Sequence, residues 1–216
     1  MNTHYVGGTM KNIFISCVLD NIREITIITL IMFIGLILGV IYINNMDNEN
    51  RSIVNNHINE IFDYLKDSQD ENKMIDNFEI LKSNLKRNLI YMLLLGLFSS
   101  CLIGIPIMYF LILGKTFSLG YTMSAIIASI GTKSGIIFIC SSMVLHNIIF
   151  LIAIYLVSIS GKNLYKEVLG EERENIKYKI LKHVIFIIIS LLFAIGAALI
   201  ETYISNTLFL MLRNYI

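Results

Sequence analysis

The chain contains no tryptophan and a single proline, Pro106, in 216 residues. Without tryptophan the usual interfacial anchor is missing, and the 11 tyrosines and 12 phenylalanines are left to mark membrane–water boundaries. Charge is scarce too: 15% of residues are charged, where soluble domains carry about 25%. The 17 basic and 16 acidic residues nearly cancel, so no global field selects nucleic acid or an acidic substrate. Cys17, Cys101 and Cys140 are scattered through apolar sequence and never form C-x-x-C. They read as buried small hydrophobes rather than disulfide or metal partners. The opening "MNTHYVGGTMKN" lacks the charged start and short apolar core of a cleaved signal peptide.

What the chain has is hydrophobic length. It is 56% hydrophobic, with a mean hydropathy of +0.70. A spanning helix needs about 20 mostly apolar residues, and runs 25–43, 89–113, 134–160 and 183–204 meet that. Run 116–130 is shorter and carries several hydroxyls, so it is either a thin buried span or a re-entrant segment shielded by protein. The pattern predicts an all-α integral membrane protein with about five transmembrane helices.

The polar stretches are organised as well. In "KNIFISCVLDNIREITI", Ile13, Phe14, Cys17, Val18 and Ile22 share one face, so segment 1–24 is expected to lie in the headgroup plane. In the insert 44–88, Val54, Ile58, Ile61, Phe62 and Leu65 recur at helical spacing, as do Met74, Phe78, Leu81, Leu85 and Leu89. This predicts an amphipathic helical hairpin outside the membrane, its second helix continuous with the second span. Its apolar faces make it the main expected docking surface. Segment 161–182 is a mixed-charge connector, expected on the cytoplasmic side, and 205–216 is a C-terminal tail. Charge balance orients the chain poorly. Five spans leave Lys and Arg almost evenly divided, whereas four spans with both termini outside would put a clear excess inside.

Gly114-Lys115-Thr116 looks like the end of a phosphate-binding loop. That loop is G-x-x-x-x-G-K-[ST], and the position requiring its first glycine is Tyr109. Lys115 is therefore read as a basic residue in a turn between spans 89–113 and 116–130. Pro106 removes a backbone donor and, with Gly104 beside it, predicts a bend or break in the second span. Gly35 and Gly39 in "FIGLILG" have the spacing that lets two helix backbones approach, within this chain or in an oligomer. His146, Asn147 and Glu201 fall at membrane depth, where polar groups are costly and are functional candidates. They suit either a proton relay or hydrogen bonds between helices. No catalytic motif, metal-ligand set or cofactor fingerprint is present, so no enzyme activity and no cofactor is expected.

In order, the segments are a pre-span amphipathic helix, "FIGLILG", an insert, "GIPIMYFLILGKTFSLGYTMS", "VLHNIIFLIAIYLVSISG" and "FAIGAALIETYIS". This arrangement resembles the stage II sporulation protein M family, five-span membrane proteins of endospore-forming bacteria. The likeness covers nearly the whole chain. It is strongest at Gly104-Ile105-Pro106, at Gly114-Lys115 with Phe117 and Gly120, at His146-Asn147, and around Glu201. The chain departs from the family in lacking prolines near His146-Asn147, where it has Val144, Leu145 and Ile152. It also has Phe150 where the broader family often has glutamate. The resemblance implies a noncatalytic protein of the cell membrane, placed at the sporulation septum and the mother-cell membrane. It implies that the insert is extracytoplasmic. It also implies two peptidoglycan-degrading partners, stage II sporulation proteins D and P, held there during engulfment of the forespore. The bent second span and the buried polar residues favour the rival reading, a small permease or permease subunit.

Overall fold

The computed structural model describes residues 21–70, 77–101, 103–169 and 176–205. Helix α1 is Ile22–Asn44, α2 is Asn48–Asp70, α3 is Asn77–Ser99 and α4 is Gly104–Ile130. Helix α5, Thr132–Phe138, leads through a π-helical turn, Ile139–Met143, into α6, Val144–Leu169. Helix α7 is Ile176–Leu199 and ends in a second π-helical turn, Ile200–Ser205. No strand occurs among the described residues, and the chain is an all-α membrane protein. Most of the expected segment 1–24 and of the tail 205–216 lies outside the described residues, as does the middle of the connector 161–182.

Four segments are long and apolar enough to cross a membrane: Ile22–Asn44, Gly104–Ile130, Thr132–Lys166 and Ile176–Tyr203. Isoleucine-rich segments such as α1 are poor helix formers in water. In lipid the choice is forced, because every backbone group needs an internal partner. Even hydroxyls turn inward to the helix: Thr26 and Thr29 donate to the carbonyls of Ile22 and Ile25, at 2.8 and 2.7 Å. Helix α3 joins the bundle as a fifth long helix, polar in its first half and apolar in its second. Its Met92 and Leu95 are fully buried.

Two span boundaries differ from the sequence expectation. The expected spans 89–113 and 116–130 are not separate units divided at Lys115. Helix α3 already stops at Ser99, and α4 runs unbroken from Gly104 through Gly114 and Lys115 to Ile130. The break thus lies just before Pro106 and not after it. Pro106 sits in the first turn of α4, where backbone N–H groups lack intrahelical partners anyway, so its missing donor costs little. Gly104 is needed at this corner because a side chain there would collide with the backbone of Phe98. The true turn between α4 and α5 is Gly131, whose φ of 87° suits glycine. Cys101 and Cys140, expected to be buried, are exposed. Both lie on the outside of the bundle, where a thiol against lipid behaves as a small hydrophobe just as well.

Helices α1 and α4 pack closely and run parallel. Gly35 lies against Leu113 and Thr116, and Gly39 against Phe117, Gly120 and Tyr121, while Gly120 receives the backbone of Leu36. The small-residue spacing in "FIGLILG" is therefore used within this chain. Helices α6 and α7 run antiparallel, with α3 against both. A core of Ile28, Met32, Met92, Leu95, Met108, Ile112, Phe150, Ile154 and Val157 joins the two halves.

These directions sort the molecule into two ends. The start of α1, the α3–α4 corner and the end of α6 share one end, here the near end. Helix α2, the start of α3, Gly131 and the end of α7 share the far end. Asp47, just before α2, accepts a 2.7 Å hydrogen bond from the Asn50 side chain. Along α2, Val54, Asn55 and Ile58 turn toward the protein and Ile53 turns away. Asn55 accepts a 2.8 Å hydrogen bond from Ser129 of α4.

Candidate functional site

Three of the residues singled out in the sequence, Lys115, His146 and Glu201, come together toward the far end. They meet beside a fourth group the sequence reading did not single out, Arg87. Helix α3 presents Asn84, Arg87, Asn88 and Tyr91 at helical spacing. Arg87 donates to Glu201 Oε1 at 2.6 Å and to Asn84 Oδ1 at 3.2 Å. Asn84 donates to the Thr202 hydroxyl at 3.3 Å. This ties α3 to the turn Ile200–Ser205. The Glu201 side chain is 20% exposed and that of Arg87 57%, so the pair straddles the surface of the bundle.

Lys115 projects from the middle of α4. Its ammonium lies 4.8 Å from the Phe150 ring centre and 5.9 Å from that of Tyr91. Those rings are 5.6 Å apart, and the Tyr91 hydroxyl donates to the Leu111 carbonyl at 3.1 Å. Ring faces attract a cation and partly replace its lost hydration. Lys115 also lies within electrostatic range of Arg87 and Glu201. The helical course of Gly114-Lys115-Thr116 removes the phosphate-loop reading altogether. Its backbone N–H groups belong to the helix, and the Thr116 hydroxyl donates to Ile112 and Leu113 carbonyls at 3.0 and 3.1 Å.

His146 and Asn147 were candidates for bridging to another helix. They bond within their own helix instead. His146 Nδ1 lies 3.0 Å from the Ser142 carbonyl, and Asn147 Nδ2 donates to the Met143 carbonyl at 2.7 Å. Asn147 Nδ2 is also 3.1 Å from His146 Nε2. A neutral imidazole protonated at Nδ1 satisfies this set, donating to Ser142 and accepting from Asn147. The carbonyls belong to the π-helical turn Ile139–Met143, a helix irregularity of the kind often found at functional sites. The two π-helical turns pack against each other, and His146 is within electrostatic range of Glu201, Lys115 and Arg87.

The near end holds two further polar nodes that the sequence did not suggest. Glu24 of α1 is buried and pairs with Lys162 and, at 3.0 Å, with Lys166. Lys162 also donates to the Tyr109 hydroxyl at 2.9 Å, joining α1, α4 and α6. His183 is buried, with Nε2 2.9 Å from Ser100 and Nδ1 3.0 Å from Ser160. Gly35, Gly39 and Gly104 are close-approach positions, and Pro106 starts a helix. None of these four belongs to the charged cluster.

The remaining question is which family builds such a bundle. The family model for stage II sporulation protein M matches residues 5–206. The chain belongs to the stage II sporulation protein M family. Searches of curated proteins and of solved structures each found no match. For this family member the match makes it a sporulation-related membrane protein, in agreement with its apolar helices. The match spans both ends of the bundle and the whole of α2, so the far-end cluster and the α2 insert both lie within the family's shared region.

Arg87 escaped the sequence reading because it sits in the polar insert, "SNLKRNL", rather than inside an apolar run. The signal was the spacing of Asn84, Arg87, Asn88 and Tyr91, which lines polar groups along one side of a helix about to enter the membrane.

Proposed function

We propose that this protein is a membrane scaffold that holds peptidoglycan-degrading sporulation proteins, of the stage II D and P types, at the septal membrane during engulfment. The observation that carries the reading is α2. It is an amphipathic 23-residue helix fastened to the bundle by the Asn55–Ser129 bond, at the end away from the α3–α4 corner. Its outer side carries the exposed Ile53, and α3 adds the exposed Phe78 at the same end. A helix so fixed offers a partner a preformed surface with little ordering cost. Extracytoplasmic placement of α2, and hence the cell-membrane and septal location, belong to this proposal.

The second reading, a small permease, draws on the far-end cluster and on Ser158 and Ser190. Those two hydroxyls are buried without a hydrogen-bond partner among the described residues. A relay would have to connect them with His183 at the near end. Helix α7 rises about 27 Å from His183 to Glu201, and toward the core it presents Ser190 followed by Ala194, Ala197 and Ala198. Met92, Leu95, Ala153 and Ile154 pack fully buried beside them. This apolar middle favours the scaffold.

The test is a deletion strain examined during sporulation and complemented with wild type or with Glu201→Gln. A scaffold predicts stalled engulfment in the deletion, mislocalised wall hydrolases, and substantial rescue by Glu201→Gln. Normal hydrolase localisation in the deletion, with failed rescue by Glu201→Gln at normal protein level, would favour the permease.

A further inference from the structure

Helix α3 carries a second pattern on the side centred on Ile90 and Leu97, with Arg87 at the edge it shares with Asn84. At about 100° per residue, Lys82, Lys86, Arg87, Ile90, Leu94 and Leu97 fall within an arc of about 140°. Asn84, Asn88, Met92, Leu95 and Ser99 occupy the opposite side. Exposure agrees with this division: the first six side chains are exposed and the second five buried. One face of α3 is therefore cationic at the far end and apolar from Ile90 onward.

We infer that this face is a binding site for an anionic phospholipid in the far-end leaflet, with its phosphate at Lys82, Lys86 and Arg87. Length is the first argument. From Arg87 to Leu97 the exposed strip is about 15 Å long, so an acyl chain whose phosphate sits at Arg87 has Ile90, Leu94 and Leu97 to lie against. Charge is the second. Among the described residues no carboxylate pairs with Lys82 or Lys86, while Arg87 directs one guanidinium nitrogen to Glu201 and Asn84. The rest of the guanidinium belongs to a side chain 57% exposed. Two ammonium groups without a carboxylate partner among the described residues, and a partly free planar fork, match phosphate oxygens. A net positive face selects an anionic headgroup over a zwitterionic one. An acidic partner protein would need the cations but not the apolar strip continuing beneath them on the same face.

The test is native mass spectrometry of the full chain released from detergent with equal amounts of phosphatidylglycerol and phosphatidylcholine of matched acyl chains. Wild type is expected to retain phosphatidylglycerol preferentially. Lys82→Gln with Lys86→Gln, both on the exposed face, should lower that retention about 25-fold, at about five-fold per cation, and leave phosphatidylcholine adducts unchanged. Lys177→Gln with Lys182→Gln, exposed at the other end of the bundle, should leave both adducts unchanged, and excess inorganic phosphate should not displace the lipid. Equal retention of the two lipids by wild type would overturn the site. So would an unchanged preference in the Lys82/Lys86 variant, or displacement by inorganic phosphate, which would assign the cations to a soluble anion.

Discussion

Arg87 of α3 donates to Glu201 of α7 at 2.6 Å, where α3 is changing from polar to apolar and α7 is ending in a π-helical turn. The two side chains differ in environment, Glu201 being mostly shielded and Arg87 more than half exposed. The pair therefore joins a helix that enters the bundle to one that leaves it. It does so beside Lys115 and His146, which share its electrostatic field.

Its strength should lie between the two familiar limits. Exposed pairs contribute about 0–1 kcal/mol, and breaking a buried pair costs about 3–5 kcal/mol. A double-mutant cycle of Arg87→Gln and Glu201→Gln, read by thermal unfolding in detergent, is expected to give a coupling of about 1–2 kcal/mol. Additive single effects would show that the two side chains are neighbours without being partners.

The glycines of α1 and α4 separate two roles. Gly39→Ala places a methyl group against the backbone of Phe117 and Tyr121, whereas a methyl at Gly114 meets nothing within 4 Å. Gly39→Ala should lower the yield of folded protein. Gly114→Ala should be neutral or stabilising by up to about 1 kcal/mol, since alanine is the better helix former. Equal yields and melting temperatures for the two variants would mean that α1 and α4 do not approach as described.

This contrast also shows how much was legible in the sequence. Long apolar runs revealed a multi-helix membrane protein, because hydrophobic length is a local property. Gly104 and Pro106 marked a bend or break at the α3–α4 corner, but its being a full turn between two helices was hidden, because Ser99, Ser100 and Cys101 interrupt the apolar run only weakly. Lys115 drew attention as a turn residue because a charge in an apolar run looks like an end. Its actual place in mid-helix depends on Phe150 and Tyr91, which arrive from α6 and α3 and cannot be read from the neighbours of Lys115. The candidate site was half visible for the same reason. Glu201 and His146 stood out by depth, but Arg87 became part of the site only through the packing of α3 on α7.

At the near end, Glu24 faces two lysines that are not equivalent. The Lys162 side chain is 19% exposed and that of Lys166 53%. Lys162→Met should therefore destabilise the protein clearly more than Lys166→Met, by about 1–3 kcal/mol against less than about 1 kcal/mol. Unfolding curves of the two variants in one detergent test this ordering, and the reverse order would contradict the assignment of Lys162 as the main partner.

The scaffold reading stands or falls on what touches α2 during sporulation. A photo-cross-linking residue placed at Ile53, exposed on the outer side of α2, should be activated in sporulating cells after septation, and the adducts identified by mass spectrometry. The account predicts an adduct with a peptidoglycan-degrading sporulation protein, absent when the same probe replaces Leu30 on the exposed apolar face of α1. Engulfment that proceeds normally with the probe in place, but with no hydrolase adduct at Ile53, would contradict it.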